Sequence, residues 1–190
     1  MESQPKNRSI ANLLLRWETL FFVAMAFMLN GIGLIGTWQV LAQGAPQCNG
    51  KAATIYVDGG KIVGGPDNGE QYMGILRGTP GDDVIVGTSG NDIIMGMGGN
   101  DIICGGPGDD DISGGPGSDR IEGGSGDDVI KGEEGDDVLK GGPGADEIEG
   151  GAGADVIEGG PGDDVIEGGP GKDTLEGGPG EDVIEAAGGD

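Results

Sequence analysis

The sequence predicts an all-β protein built as a parallel β-solenoid: a flattened right-handed coil of twelve nine-residue units, two units per turn, with a small β cap at its N-terminal end. Three observations predict it. A strict period of nine runs from Gly78 to Glu185 with no insertion. In every unit the eighth position is isoleucine, or leucine at Leu139 and Leu175, between two more variable neighbours, the pattern of a very short strand whose middle side chain faces inward. The six residues ahead of that triplet follow Gly-Gly-x-Gly-x-Asp, a glycine density suited to turns and not to regular helix or sheet.

From the N-terminus, the first element is an apolar leader, residues 1–42. Residues 19 to 50 carry no charged side chain, and Leu20 to Ala42 is mostly apolar. Lys6, Arg8 and Arg16 outweigh Glu2 and Glu18 ahead of it, a bias that keeps the N-terminus cytoplasmic. Val40-Leu41-Ala42 places small or aliphatic residues where a signal peptidase reads, so cleavage after Ala42 is expected. An uncleaved membrane anchor is the competing reading, because about 20 apolar residues span a bilayer. Asn30, Gly31, Gly33 and Gly36 weaken such a span, and Pro46-Gln47 before Cys48 is not a lipoprotein context.

Residues 43–77 are expected to form the cap. Ala53 to Val63 reads as a β-hairpin around Asp58-Gly59, and Gln71 to Leu76 as a third strand. Such a cap covers a strand edge and the end of an aliphatic ladder. Cys48 and Cys104 both lie beyond the leader, where an even count favours a disulfide over two free thiols. Cys104, at position nine of the third unit, faces outward, where a bridge from Cys48 can reach it across the cap.

The coil occupies 78–185, followed by a tail, 186–190. Position one is glycine in all twelve units (Gly78, Gly87, Gly96, Gly105, Gly114, Gly123, Gly132, Gly141, Gly150, Gly159, Gly168, Gly177). Position four is glycine as well (Gly81, Gly90, Gly99, Gly108, Gly117, Gly126, Gly135, Gly144, Gly153, Gly162, Gly171, Gly180). Seven units have proline at position three, which removes an N–H and leaves a carbonyl oxygen free. With two units per turn, like turns stack at about 4.8 Å. Asp83, Asp101, Asp119, Asp137, Asp155 and Asp173 then line one edge, and Asp92, Asp110, Asp128, Asp146, Asp164 and Asp182 the other.

Rows of aspartate at that spacing repel one another and need counter-charge. The repeat region holds all the excess charge, with 28 acidic and 4 basic residues of the 34 and 10 in the chain. A hard cation between adjacent turns, held by carboxylates and by carbonyl oxygens near the glycines of positions one and four, would supply it. The all-oxygen set suits calcium better than magnesium, which demands tighter octahedral geometry. Six turns on each edge leave about ten gaps in total for such ions.

The twelve copies resemble the RTX, or haemolysin-type, calcium-binding nonapeptide repeat. The resemblance implies a parallel β-roll with calcium held between turns i and i+2 by the aspartate and turn carbonyls. Position two departs from glycine at Thr79, Thr88, Met97 and Glu133, turns expected to bind less tightly. Members of that family usually carry a substantial C-terminal flank with the export signal. Here only Ala186 to Asp190 follow the last unit, so export is expected through the N-terminal leader.

Composition narrows the function. A net charge of −24 argues against nucleic acid and anionic lipid as partners. The chain has no histidine, and all its tryptophan and phenylalanine lies in the first 38 residues. The segments outside the coil leave no room for a catalytic domain, and the Glu133-Glu134 pair reads as solvated charge. The expected protein is exported, extracellular or at the cell surface, non-enzymatic and calcium-binding. Its alternative is a calcium-stiffened surface spacer anchored by an uncleaved leader, and membrane contact belongs to that alternative alone.

Overall fold

The computed structural model describes residues 45–58 and 60–187. The leader expected over 1–42, with its cleavage point after Ala42, lies outside the described residues, as do Gly59 and the last three residues of the tail. Among the described residues no helix is long and apolar enough to cross a membrane.

Two parallel sheets face each other. The first runs through Val84–Val86, Ile102–Pro107, Arg120–Ser125, Val138–Lys140, Val156–Glu158 and Thr174–Glu176. The second runs through Ile75–Arg77, Ile93–Met95, Asp111–Pro116, Val129–Glu134, Glu147–Ala152, Val165–Glu167 and Val183–Glu185. Every pairing joins residues 18 apart, as in Ile121 with Ile103 and Ile130 with Ile112, so successive units alternate between sheets. This is the all-β, parallel solenoid that the nine-residue period predicts. The position-eight aliphatics interlock between the sheets, and from Ile85 to Ile166 each is at most 1 % exposed.

Two features differ from the sequence expectation. First, the glycine-rich six are not all turn. Five strands continue for six residues, so that Gly124 pairs with Gly106 and Glu133 with Gly115. With an 18-residue register, positions one to three meet their counterparts in the next layer, and the ladder continues wherever the backbone bends identically in both.

Second, the coil starts upstream of Gly78. Gln71 does bridge antiparallel to Lys61, but Ile75–Arg77 leaves the hairpin and pairs parallel with Ile93–Met95, burying Leu76 completely. Leu76 lies nine residues before Ile85, so it keeps the phase of the repeat although its turn lacks the aspartate, Gly74 standing in that place. On the first sheet Ile55, also fully buried, bridges parallel to Ile85.

The hairpin of Tyr56–Asp58 with Lys61–Val63 sits before these rungs. A second hairpin, Gln47–Cys48 with Lys51–Ala52, turns at Asn49-Gly50, both at positive φ. That dipeptide is a strong hairpin signal, but its flanking strands are too short to show alternation. Cys48 and Cys104 form a disulfide, tying this hairpin to the outer face of the third unit.

The glycine of position four owes its place to the neighbouring layer. At Gly135 φ is +135°, and a Cβ there would overlap the carbonyl oxygen of Gly117 one layer back. Gly90, at the same motif position, has open space around it and no positive φ. Gly135→Ala is therefore expected to cost about 2 kcal/mol or more, from strain and overpacking together. Gly90→Ala should be close to neutral. Urea unfolding of the two variants in excess calcium measures the contrast.

Candidate metal centre

Each position-six aspartate follows the turn and precedes a strand, so its side chain points into the edge of the stack. One oxygen has a fixed task. The backbone N–H of Asp83 donates to Asp101 Oδ1 at 2.8 Å, that of Asp92 to Asp110 Oδ1 at 2.8 Å, and that of Asp128 to Asp146 Oδ1 at 2.9 Å. The relation repeats along both edges to Asp155 with Asp173 at 3.0 Å and Asp164 with Asp182 at 3.1 Å. The two rows read from the sequence are thus physically continuous, each carboxylate hydrogen-bonded to the layer behind it.

The other oxygen has no such task. Oδ2 of Asp101, Asp110, Asp119, Asp128, Asp137, Asp146, Asp155 and Asp164 is buried with no hydrogen-bond partner, and these residues are 0 to 2 % exposed. A buried anionic oxygen without a partner is costly, so something must compensate it. Asp173 and Asp182, in the last two units, are only half-buried.

The position-one glycine borders the same space. A Cβ on Gly150 would lie 2.6 Å from Asp155 Oδ2 and 2.6 Å from the carbonyl oxygen of Gly168 in the next layer. A carboxylate oxygen and a backbone carbonyl therefore crowd a cradle that only glycine leaves open. Position one does not have a positive φ, so space and not conformational freedom demands glycine there. The donors are oxygen throughout, and their spacing keeps the carboxylates apart: among the described residues no three acidic, cysteine or histidine side chains converge on one point. A hard cation fits this set, one carboxylate at a time with carbonyls completing the shell.

The carbonyls of position three do not share that freedom. Pro143 O accepts from Gly126 N at 3.0 Å, Pro161 O from Gly144 N at 3.0 Å and Pro179 O from Gly162 N at 3.0 Å. The expectation that proline leaves its carbonyl free is corrected for these residues, because stacking places the position-four amide of the layer behind against it.

The four departures at position two fall into two kinds. Met97 and Glu133 keep positive φ, 84° and 80°, and so preserve the backbone path that glycine takes at Gly106. Thr79 and Thr88 do not, and their side chains turn inward. Thr79 donates to Asp83 Oδ2 from its N–H at 2.7 Å and its hydroxyl at 2.8 Å. Thr88 donates to Asp92 Oδ2 from its N–H at 2.5 Å and its hydroxyl at 3.1 Å.

A further set of contacts lies beyond what the repeat pattern predicts. Position-five side chains also bond between layers, in the opposite direction, Asp82 Oδ1 accepting from Asn100 N at 2.8 Å and Asp127 Oδ1 from Ala145 N at 2.9 Å. The signal was there in the Asp, Asn and Ser that fill most of position five, residues that bond backbone readily.

Burial dominates the electrostatics of the inner rows. Desolvation pushes the Asp101 and Asp128 carboxyls up from 3.8 to about 7, against the lowering effect of the amide bonded to Oδ1. Asp92, Asp137 and Asp146 rise to about 6 for the same reason, and neighbouring aspartates in the row add to the rise. Asp110, Asp119, Asp155 and Asp164 move in the same direction. Without a counter-ion the rows are poor places for negative charge at neutral pH.

Comparison with known families places these features together. Residues 77–112, 113–148, 132–166, 140–175 and 167–190 match the family described as RTX calcium-binding nonapeptide repeat, four copies to a match. Among curated proteins no sequence matches the chain. The family match spans more than half of the 190 residues and every stacked aspartate, and the chain belongs to the RTX calcium-binding nonapeptide repeat family.

Proposed function

We propose that this chain is an exported, non-enzymatic protein whose coil completes its folding when it binds several calcium ions between stacked turns. The supporting observation is the double row of buried Oδ2 atoms from Asp101 to Asp164, each without a partner and each beside a glycine cradle. Calcium supplies positive charge to these oxygens and accepts carbonyls as further ligands. The holding residues are the position-six aspartates from Asp101 onward, with Asp173 and Asp182 ending the rows, together with turn carbonyls from positions such as Gly123 and Gly168. Export rests on the leader and on the disulfide, which persists in oxidising compartments.

Calcium titration followed by circular dichroism tests this reading. The β-signal is expected to rise cooperatively with a midpoint of about 0.1 to 1 mM, the range of extracellular modules. Magnesium should not replace calcium. A complete β-signal in excess chelator that calcium leaves unchanged would refute it.

Position along the row should matter. Asp128 accepts from Asp110 N and its own amide reaches Asp146, whereas Asp182 has a neighbour on one side and is half-buried. Asp128→Ala is expected to raise the calcium midpoint more than Asp182→Ala, because an interior loss breaks two interfaces. The same titration on both variants measures the order.

Protons and calcium should act in opposite senses. In the metal-free coil burial raises the inner carboxyls, Asp92 to about 6 and Asp101 and Asp128 to about 7, above the ordinary 3.8 of the unfolded chain. The folded state therefore holds more protons between those values, and its stability falls as pH rises through the window. In chelator, acidification from about pH 7.5 to about pH 5 should increase the β-signal. In calcium the ligands must be ionised, so the calcium midpoint should rise over the same acidification. Circular dichroism across pH, with and without calcium, reads both slopes.

A further inference from the structure

Two turns of the coil differ in how their aspartates are satisfied. Asp83 accepts at Oδ1 from the Thr54 hydroxyl at 3.3 Å, and at Oδ2 from Thr79 N–H and hydroxyl at 2.7 and 2.8 Å. Asp92 accepts at Oδ2 from Thr88 N–H and hydroxyl at 2.5 and 3.1 Å. Neither Oδ2 is among the buried atoms without a partner, and the change occurs between Asp92 and Asp101, where position two passes from Thr88 to Met97. Neutral donors from the chain here occupy the aspartate oxygens that the later turns leave open.

The same end of the coil is held by contacts that need no carboxylate. Thr54 N donates to Val84 O at 2.7 Å, Val86 N to Ile55 O at 3.0 Å and Val84 N to the Thr54 hydroxyl at 2.9 Å. Ile55 and Leu76 are fully buried, and the Cys48–Cys104 disulfide reaches the third unit. A solenoid is a sum of nearest-neighbour interfaces, so its first layer is the hardest to form and any preformed layer relieves the next.

We propose that the first two turns are independent of calcium: Thr79 and Thr88 stand in place of the ion, and this end is a preformed template on which the calcium-bound layers stack. The proposal rests on the calcium reading above. Its consequence is a count: the gaps between Asp83 and Asp101 and between Asp92 and Asp110 take no ion, which leaves at most eight of the ten between like turns. Order should spread from the N-terminal end toward Glu185.

The test is hydrogen–deuterium exchange of the disulfide-intact chain in excess chelator and in calcium, with native mass spectrometry for the ion count. In chelator, amides around Val84 to Val86 should exchange at least an order of magnitude more slowly than those around Val156 to Glu158, and calcium should remove the difference. T79G/T88G restores the glycine motif in both turns. It should gain up to two calcium ions and lose the protection in chelator, while T79S/T88S, which keeps both hydroxyls, behaves as the wild type. The disulfide is present in all three, so it does not account for a difference. Uniformly fast exchange in chelator, a wild-type count above eight, or T79G/T88G keeping the wild-type count overturns the template and leaves the calcium reading standing. A coil protected throughout in chelator, on which calcium has no effect, overturns the calcium reading and the template with it.

Discussion

The stack depends on the divided duty of one carboxylate per unit. With Oδ1 each position-six aspartate fixes the amide of the layer behind it, a bond that repeats every nine residues from Asp101 to Asp182 and sets the layer spacing. That bond draws the side chain into the edge of the stack, where Oδ2 loses water and gains nothing from the chain. A neutral amide in that position could make the first contact without the penalty of the second. An acid there makes sense when a cation completes the arrangement, and burial cannot be relieved by moving the side chain outward without breaking the ladder.

Glycine follows from the same stacking. At position one a Cβ would strike the aspartate Oδ2 and a carbonyl of the next layer, and at position four it would strike a carbonyl of the layer behind. The contrast between Gly135 and Gly90 shows that the second constraint appears only where a layer lies behind. Close layer contact therefore excludes side chains from the edges and keeps carbonyl oxygens at the surface of the cradle. The core is correspondingly thin, one aliphatic from each unit, and it stays closed from Ile55 and Leu76 to Ile166, whereas Ile184 is 45 % exposed.

The outer faces carry little of this order. Position nine is mostly glutamate in the second half of the coil, with Lys131 bonded to Glu149 and Lys140 to Glu158 across layers. These pairs are about half exposed, a setting in which ion pairs contribute little. Their effect is to space out like charges along a sheet whose register is already set from inside, so the acidic faces do not specify the fold.

Much of the architecture was legible in the sequence because it is periodic. A nine-residue phase with one aliphatic and one aspartate at fixed places determines the two-sheet coil, the inward ladder of Ile85 to Ile166 and the two rows of acids, since any slip would turn the aliphatics outward. The Cys48–Cys104 bridge and the hairpin at Tyr56 to Val63 were legible as well, from cysteine count and turn chemistry. What the sequence could not decide depends on atoms brought together across layers. Only stacking shows that from Asp101 to Asp164 Oδ1 is used and Oδ2 is not, that proline carbonyls such as Pro143 O are consumed by the layer behind, and that Ile55 and Leu76 extend ladders beyond the repeat. Thr79, Thr88, Met97 and Glu133 look alike as departures from glycine, yet two hydroxyls turn onto aspartates and two side chains leave the turn path unchanged. A linear pattern fixes which residues recur, but the direction of a hydrogen bond depends on the neighbour that the fold supplies.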